Sequence, residues 1–281
     1  MKLGLSAKMR CDLYGRWGEK HYEKLKELGY DCVDLDLSDT ESSYYTDPTV
    51  LPKEKRLADA AGITFCQVHG PWRWPARDLT EEDRAERFEK MVQSLAMTAQ
   101  LNCKYWVIHP LLPCGNPFPD AEENRRLTVE ITRDFMKKLL PEAKKHGITI
   151  CFENMPFGNN YPLSTPQQIL DFVEEMDDDH FQVCYDTGHA AIFHGKDVGT
   201  GLRLLGKYVK VLHVHDNAGT RDAHAFPFTG IIDWADFTKA LSDIGFDGVL
   251  SLETLPDKNL SNDQYEQALK ELAALAKQLL P

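Results

Sequence analysis

The feature that most limits the fold of this chain is a repeated alternation of short apolar runs with longer segments of helical period. Eight runs rich in Val, Ile and Leu occupy residues 2–8, 31–37, 64–69, 105–109, 148–153, 182–186, 209–215 and 248–253. Their apolar residues are mostly continuous rather than alternating, as in strands buried on both faces. A segment with helical spacing follows each run. Eight such units predict an α/β fold, a (β/α)8 barrel formed as a single domain by residues 1–281.

Local signals support the helices between these runs. Thr80 and Asp83 form a capping-box pattern in front of a long apolar stripe. Glycines stand where helical patterns end before a strand, as C-terminal caps do, at Gly29, Gly62, Gly147, Gly206 and Gly245. The competing fold, a doubly wound sheet, would usually carry a Gly-rich phosphate loop after a strand, and the sequence has none. The longest unassigned segments, 38–47, 110–119 and 216–232, follow strands and should lie at the C-terminal mouth of the barrel.

Length and charge exclude several classes of partner. The chain has 281 residues, with 32 Lys and Arg against 44 Asp and Glu, and its net charge is −12. This charge disfavours long-range attraction to nucleic acid or to an anionic membrane. No apolar run approaches the roughly 18–20 residues that span a bilayer. We therefore expect neither a nucleic-acid partner nor a membrane anchor.

The cysteines and the first residues bear on the compartment. Seven cysteines show no paired spacing such as CxxC, and most lie in or beside apolar runs. The chain becomes polar too soon after Met1 for an export signal. We expect free thiols and a cytoplasmic protein.

Polar residues end six consecutive strands of the predicted barrel. They are His69, His109, Glu153, Asp186, His215 and Glu253. In a barrel these strand ends converge on one small volume, where three carboxylates would repel one another. A divalent cation removes that conflict. Imidazole with carboxylate is a ligand set for zinc, manganese or iron, whereas magnesium favours more oxygen.

Two histidines on the seventh strand need separate roles. His213 and His215 are two residues apart and share a face of the strand. His215 is nearer the C-terminal end and is predicted to reach the metal. His213, one layer deeper, is predicted to pack there or to support the ligands from behind. Asp216 is predicted to point the other way.

Further polar and aromatic residues are predicted at the mouth. His189 in the Asp-Thr-Gly-His turn, and Asp222 and His224 in the loop after strand seven, could hold a second metal or bind a substrate oxygen; a solvated loop residue is the plainer interpretation of His224. Aromatic rings there could form the wall of a small-ligand pocket or simply pack the loops. The candidates for that wall are Trp17, Trp72, Trp74, Phe157, Phe226 and Phe228.

Eight short sequence strings, which include the strand ends and loop residues named above, together resemble the xylose isomerase-like TIM-barrel superfamily. This superfamily includes sugar (phosphate) isomerases and epimerases and the zinc-dependent AP endonucleases. The resemblance covers essentially the whole chain. Each string is weak alone, but their order along the strands is specific. The strings are His69-Gly-Pro, His109-Pro, Glu153-Asn, Asp186-Thr-Gly-His189, His215-Asp-Asn, Asp222-Ala-His224, Gly230-Ile-Ile-Asp-Trp234 and Leu252-Glu253.

The resemblance implies roles for these residues. Glu153, Asp186, His215 and Glu253 correspond to the four protein ligands of a single divalent metal in the isomerase and epimerase members. There the two glutamates are also the acid/base pair, and His189 resembles a histidine that contacts substrate. A metal that holds a substrate carbonyl and the adjacent hydroxyl acidifies the hydrogen on the carbon that bears this hydroxyl. Proton transfer by the two glutamates would then isomerise or epimerise the sugar.

The endonuclease members use five more ligands to hold three zinc ions, and this chain has a candidate for each: His69, His109, His189, Asp222 and His224. The charge of −12 weighs against a DNA substrate, because only scattered arginines lie near the mouth, at residues 10, 16, 73, 77 and 221. Gly188 stands where those enzymes have cysteine. The isomerase-like pattern also differs, because Pro227-Phe228-Thr229-Gly230 replaces its usual Pro-Gly-x-Gly.

The sequence therefore predicts a metal-dependent isomerase or epimerase of a sugar or sugar phosphate. Manganese or zinc is the expected metal, with cobalt, iron and magnesium as further candidates. Arg221 could take part in the pocket, for example by binding a phosphate. The alternatives are a metal-dependent lyase or dehydratase on a keto-sugar or polyol acid, a zinc-dependent AP endonuclease and a non-catalytic binding protein. A homo-oligomer is a further expectation, since members of the superfamily often form dimers or tetramers.

Overall fold

The computed structural model describes residues 1–6, 10–72, 80–111, 121–156 and 162–280. Within them, eight parallel strands form one sheet in the order β7-β6-β5-β4-β3-β2-β1-β8. The strands are β1 Lys2–Ser6, β2 Cys32–Asp36, β3 Thr64–His69, β4 Tyr105–Ile108, β5 Thr149–Glu153, β6 Phe181–Asp186, β7 Val209–His213 and β8 Val249–Leu252. Every predicted strand is therefore confirmed, most of them to within one or two residues at each end.

The sheet closes on itself between β7 and β8. Val214 pairs in parallel with Leu252. The Val214 amide donates to the Ser251 carbonyl at 2.8 Å, and the Glu253 amide donates to the Val214 carbonyl at 3.0 Å. The predicted (β/α)8 barrel is confirmed, and the C-terminal ends of its strands share one rim.

Helices surround the barrel in the order expected from the sequence. They are α1 Arg10–Trp17, α2 His21–Leu28, α3 Ser43–Thr46, α4 Val50–Ala61, α5 Glu81–Gln100, α6 Ala121–Lys145, α7 Pro166–Met176, α8 Thr187–His194, α9 Val198–Leu205, α10 Trp234–Asp243 and α11 Asn262–Lys277. Short 3-10 turns at Gly18–Lys20 and Gly206–Tyr208 adjoin α2 and α9.

The predicted helix ends are present. The Thr80 hydroxyl accepts from the Asp83 amide at 3.0 Å, and the Asp83 carboxylate accepts from the Thr80 amide at 3.3 Å. This is the capping box, which satisfies donors that the helix leaves free. Gly29 and Gly62 have φ values of 95° and 70°. This left-handed conformation suits glycine and ends α2 and α4.

Two register shifts interrupt the regular strand pairing. One lies between Val33 and Asp34 of β2 in its pairing with β3. The other lies in the β6–β7 pair, where Val183 pairs with Val209 but Cys184 pairs with Val211. Such a bulge inserts one residue into one strand. As a result Asp186 pairs with His213, which decides the composition of the site below.

Two further expectations concern the compartment. The described part of the chain contains no helix that is both long enough and apolar enough to cross a membrane. Five of the seven cysteines have described side chains, and these five are free thiols: Cys32, Cys66, Cys103, Cys151 and Cys184.

Candidate metal and catalytic site

Four residues from neighbouring strands form a compact group of ligand atoms at the rim. They are Glu153 on β5, Asp186 on β6, His213 on β7 and Glu253 just after β8. Each offers one nitrogen or oxygen, and these four atoms lie within 4.8 Å of one another. All four residues are buried. Three carboxylates and one imidazole thus converge as the sequence predicts, but the histidine differs.

His213, rather than His215, joins both glutamates. Its Nδ1 lies 2.9 Å from Oε1 of Glu153 and 3.4 Å from Oε2 of Glu253. The bulge between β6 and β7 brings His213 level with Asp186. Without this bulge Leu212 would pair with Asp186, and His213 would lie one residue further along the strand, on its opposite face.

His215 lies above this layer on the same face of the chain. Its Nε2 contacts Oδ2 of Asp186 at 3.0 Å, and its ring stacks on that of His224 with centroids 4.2 Å apart. His215 forms a second potential ligand group with Asp186 and His189, and a third with His224 and Glu253. It therefore remains beside the predicted site, next to rather than within the four-residue group.

His69 and His109 also converge on Glu153. Their Nε2 atoms are 3.1 Å apart, and Oε2 of Glu153 lies 3.1 Å from that of His109 and 3.6 Å from that of His69. These three residues offer ligand atoms within 4.8 Å of one another. The ring of Trp72 packs on His109 with centroids 5.2 Å apart. Glu153 is thus shared between two potential ligand groups.

The predicted outer residues meet on the other side of the mouth. Oδ2 of Asp222 lies 3.3 Å from Nε2 of His189 and 3.0 Å from Nε2 of His224. Nδ1 of His189 is 2.7 Å from the Asn154 carbonyl, and Nδ1 of His224 is 2.6 Å from the Glu253 carbonyl. The carbonyls fix which nitrogen of each ring faces Asp222. The structure therefore brings His189, Asp222 and His224 together, and His224 is not a solvated loop residue.

The other motif residues hold this arrangement in place. Asn154 links two strands, since its amide group donates to the Asp186 carbonyl at 3.0 Å and accepts from the Asp186 amide at 2.8 Å. Asp216 points away from the ligand atoms, as predicted. Its carboxylate accepts from the amide of Gly230 and from the indole of Trp234, both at 3.0 Å. Asp216 thereby ties the loop after β7 to the start of α10.

Gly188 is required by the close approach of His215. A Cβ atom at residue 188 would overlap the His215 ring. The Thr187 hydroxyl donates to the His215 carbonyl at 2.7 Å and accepts from the His215 amide at 3.0 Å. The Asp-Thr-Gly-His turn thus sets the position of His215 through two hydrogen bonds with Thr187 and through the absence of a side chain at Gly188.

Burial and neighbouring charges shift the protonation of the site. Burial raises the pKa of Glu153, but His213 and His109 outweigh burial and hold the pKa well below its usual range. Burial lowers the pKa of His109 to about 4 against the attraction of Glu153. Burial would also lower the pKa of His189, but Asp186 and Asp222 raise it to about 10. Against burial, Asp222 and Glu253 raise the pKa of His224 to about 9.

The donor set fits a divalent cation. Imidazole nitrogens and carboxylate oxygens that converge within one buried volume are ligands for zinc, manganese or iron. Nδ1 of His215 is buried and has no hydrogen-bond partner among the described residues. Glu153, Asp186, His213 and Glu253 could hold one ion, and His69 and His109 could hold another against Glu153.

The predicted pocket residues have different surroundings. Trp72 lies beside His109. Trp17, at the end of α1, packs edge-on against Tyr265 of α11 with centroids 6.3 Å apart. Arg221 is exposed in the loop after β7. Trp74 and Phe157 lie outside the described residues. A role in substrate binding stays a prediction for Trp17, Trp72, Trp74 and Arg221.

Two residues of the site were missed in the sequence. Asp34 on β2 and Gln67 on β3 are buried inside the barrel beneath His213. Oδ2 of Asp34 lies 3.0 Å from Nε2 of His213. The sequence did offer a signal for both residues, because each is a polar residue within a strand that is otherwise apolar. A polar residue at a buried position often has a specific role.

Similarity to known proteins agrees with this geometry. A family model described as the xylose isomerase-like TIM barrel matches residues 22–278. A D-psicose 3-epimerase of Ruminiclostridium cellulolyticum is 28% identical over 246 residues, 83% of this chain and 77% of that protein.

Solved structures show the same fold at lower sequence identity. The D-psicose 3-epimerase of Clostridium cellulolyticum with D-tagatose has a TM-score of 0.75 at 19% identity, and covers 100% of this chain and 99% of that one. The IOLI protein with a binding zinc atom has a TM-score of 0.73 at 20% identity, and covers 99% of this chain and 96% of that one.

Proposed function

Because the chain belongs to the xylose isomerase-like TIM-barrel family, we propose that it is a sugar isomerase or epimerase, and specifically a divalent-metal-dependent epimerase of a ketose. It would invert the carbon next to the carbonyl by removing and returning a proton. The similar proteins that carry an activity in their names include D-psicose 3-epimerase and L-ribulose 3-epimerase, which supports a ketose as the substrate class.

The observation that carries this proposal is the pairing of two glutamates at one potential metal position. Glu153 and Glu253 come from different sides of the barrel, yet each places an oxygen beside the same nitrogen, Nδ1 of His213, at 2.9 and 3.4 Å. Two carboxylates held in this way can serve as a base and an acid on two faces of one substrate carbon. A protein that only bound sugar would need no such pair.

The ligands of the ion are Glu153, Asp186, Glu253 and one histidine of β7. The geometry favours His213 for that position over His215, which the sequence analysis assigned. A divalent ion there would acidify the hydrogen on the substrate carbon that bears the hydroxyl and lies next to the carbonyl. Manganese and zinc suit these donors best.

The proton transfers belong to the two glutamates. One glutamate removes the hydrogen from one face of the carbon, and the other returns a proton to the opposite face. The low pKa of Glu153 keeps that carboxylate ionised. In the reverse reaction the two residues exchange roles.

The remaining polar groups at the mouth are suited to hold the sugar. Nε2 atoms of His189 and His224 flank Asp222 at 3.3 and 3.0 Å. This set can exchange hydrogen bonds with hydroxyl groups. Trp72, against His109, offers an aromatic face for the sugar ring. Arg221 is the candidate for a phosphate, if the substrate carries one.

A second candidate function is cleavage of a nucleic-acid phosphodiester with several zinc ions. One observation favours it: His69 and His109 form a second ligand group with Glu153, which this group shares with the first, and its ligand atoms lie within 4.8 Å of one another. The net charge of −12 opposes it, because binding to duplex DNA needs concentrated positive charge. We place it second for that reason.

The activity test uses purified protein loaded with Mn²⁺ and a panel of ketohexoses and ketopentoses, with products separated by chromatography. We expect one ketose to be converted to its epimer at the carbon next to the carbonyl. A chelator should abolish the conversion, and added Mn²⁺ should restore it. Unchanged sugars across the panel, with nicking of an abasic duplex, would favour the second candidate instead.

Metal analysis separates the same two functions by stoichiometry. The epimerase requires one tightly bound ion per chain, whereas the nuclease requires three zinc ions. Protein that binds neither Mn²⁺ nor Zn²⁺ would contradict the metal site itself.

A further inference from the structure

A layer of polar side chains lies inside the barrel beneath the candidate metal centre. Asp34 on β2 is 2% exposed and Gln67 on β3 is 0% exposed. A buried carboxylate lowers stability unless its partners compensate for the lost water. The proposed proton transfers do not use either residue, so their contacts indicate what they do.

These contacts form a chain of hydrogen bonds that leaves β7 at Leu212, passes through Gln67 and Asp34, and returns to β7 at His213. Nε2 of Gln67 donates to the Leu212 carbonyl at 3.2 Å and to Oδ2 of Asp34 at 3.0 Å. The same Oδ2 atom lies 3.0 Å from Nε2 of His213. Asp34 and Gln67 are also paired in the register of β2 and β3. The carboxylate is therefore held from one side and meets the imidazole on the other.

The contact with Asp34 decides which nitrogen of His213 is free. A carboxylate accepts a hydrogen bond, so Nε2 carries a hydrogen. The hydrogen that Nδ1 directs at Glu153 in the metal-free protein is the one that a bound ion would displace. Nδ1 is then the nitrogen that faces Glu153 and Glu253, at 2.9 and 3.4 Å. An imidazole binds a metal through a nitrogen without a hydrogen, and the hydrogen bond of the other nitrogen sets which one that is.

We infer that Asp34, braced by Gln67, is a positioning residue that fixes the His213 ring with its hydrogen on Nε2 and its lone pair on Nδ1 directed at the ion. This inference rests on the proposed metal dependence and names the residues that prepare the imidazole ligand for it. Oδ1 of Asp34 and Oε1 of Gln67 have no hydrogen-bond partner among the described residues. Such incomplete satisfaction lowers stability.

The test is a calorimetric titration of the metal-free protein with Mn²⁺. Loss of a carboxylate that orients a ligating histidine typically weakens metal binding about 10- to 100-fold. We expect that loss for Asp34→Leu and a smaller one for Gln67→Leu.

The matched control is Glu54→Gln. Nε2 of His21 lies 3.2 Å from Oε2 of Glu54, in another buried pair of histidine and carboxylate between α2 and α4. This variant should lower stability and leave the affinity for Mn²⁺ unchanged.

The outcomes separate this inference from the proposed function. If the wild type binds Mn²⁺ and a folded Asp34→Leu variant binds it equally well, the inference is overturned. If the wild type binds neither Mn²⁺ nor Zn²⁺, the proposed metal-dependent function is itself contradicted, and the inference falls with it.

A second measurement uses the wild-type protein and therefore does not require any variant to fold. NMR correlation of the His213 ring in the zinc-loaded wild type should show a hydrogen on Nε2 and zinc at Nδ1. The opposite arrangement would overturn the inference.

Discussion

At the scale of single residues, the account depends most on the carboxylate of Glu253. Replacing Glu253 with Gln keeps the size of the side chain but removes its ability to exchange a proton. We expect epimerisation to slow by about 10²- to 10⁴-fold, the usual contribution of general acid–base catalysis. Glu271→Gln on the exposed face of α11 is the matched control and should retain full activity in the same steady-state assay. A Glu253→Gln enzyme with wild-type kcat would contradict the assignment.

The raised pKa of His213 gives a prediction about pH. Burial would lower this pKa, but Cys184, Glu253, Glu153 and Asp34 raise it well above its usual value in the metal-free protein. A proton retained to higher pH competes with the metal for Nδ1, so the affinity for Mn²⁺ should increase as pH rises. Titrations in a series of buffers from pH 6 to 9 would measure this, together with proton release on binding. An affinity that is constant across this range would contradict His213 as a ligand.

Gly188 gives a prediction about packing. A methyl group at residue 188 meets the His215 ring, so Gly188→Ala should destabilise the protein by roughly 1–3 kcal/mol, as overpacked cores do. The control is Gly15→Ala in α1, where a Cβ meets nothing within 4 Å. There alanine should stabilise by about 0.5–1 kcal/mol, because it favours the helix. Equal unfolding midpoints in urea for the two variants would contradict this packing argument.

At the scale of elements, the loop after β7 contains a strained residue. Phe228 has a φ of 70° and is 45% exposed, and the centroid of its ring lies 5.8 Å from that of Trp234. It stands where the resemblance expects glycine. A non-glycine residue in this conformation costs roughly 1–2 kcal/mol. Phe228→Gly should therefore be more stable than Phe228→Ala by about 1 kcal/mol in chemical denaturation, since both lose the ring. A Phe228→Ala variant as stable as Phe228→Gly would show that φ carries no strain.

The elements themselves were predictable, but their register was not. Continuous apolar runs, a capping box at Thr80 and glycines after helices are local signals, and they fixed the eight strands and most helix ends. The bulge between Val183 and Cys184 depends on how two distant strands fit around a closed barrel. The sequence carries no local mark of it, and the prediction therefore took His215, rather than His213, to be level with Asp186.

The site was predictable where its residues end strands. His69, His109, Glu153, Asp186 and Glu253 meet as expected because parallel strands in a barrel share one rim. Asp34 and Gln67 were missed because they lie in mid-strand, one layer below that rim. Asp34 contacts His213 and Gln67 contacts the Leu212 carbonyl, both on a strand more than 140 residues away in the chain, and only the folded barrel brings them together.

At the scale of the whole molecule, the net charge gains a structural meaning. Three of the 44 acidic residues are gathered in one buried group, where protonated histidines offset their charge in the metal-free protein. Without a cation they repel, so the bound ion should stabilise the entire fold. A hundredfold excess of metal over its Kd contributes about 2.7 kcal/mol. Calorimetry should therefore show Tm rising by roughly 5–10 °C with Mn²⁺, and much less for Glu153→Gln. An unchanged Tm would argue against a metal in this group.

The most direct test of the central claim is hydrogen exchange during turnover. The metal-loaded protein is incubated with ketoses in D₂O, and the hydrogen on the carbon next to the carbonyl is followed by NMR. The account predicts that deuterium replaces this hydrogen in one ketose as its epimer forms, and that a Glu153→Gln, Glu253→Gln double variant produces neither change. Epimer formation with full retention of the original hydrogen, or exchange that persists in the double variant, would contradict proton transfer by these two glutamates.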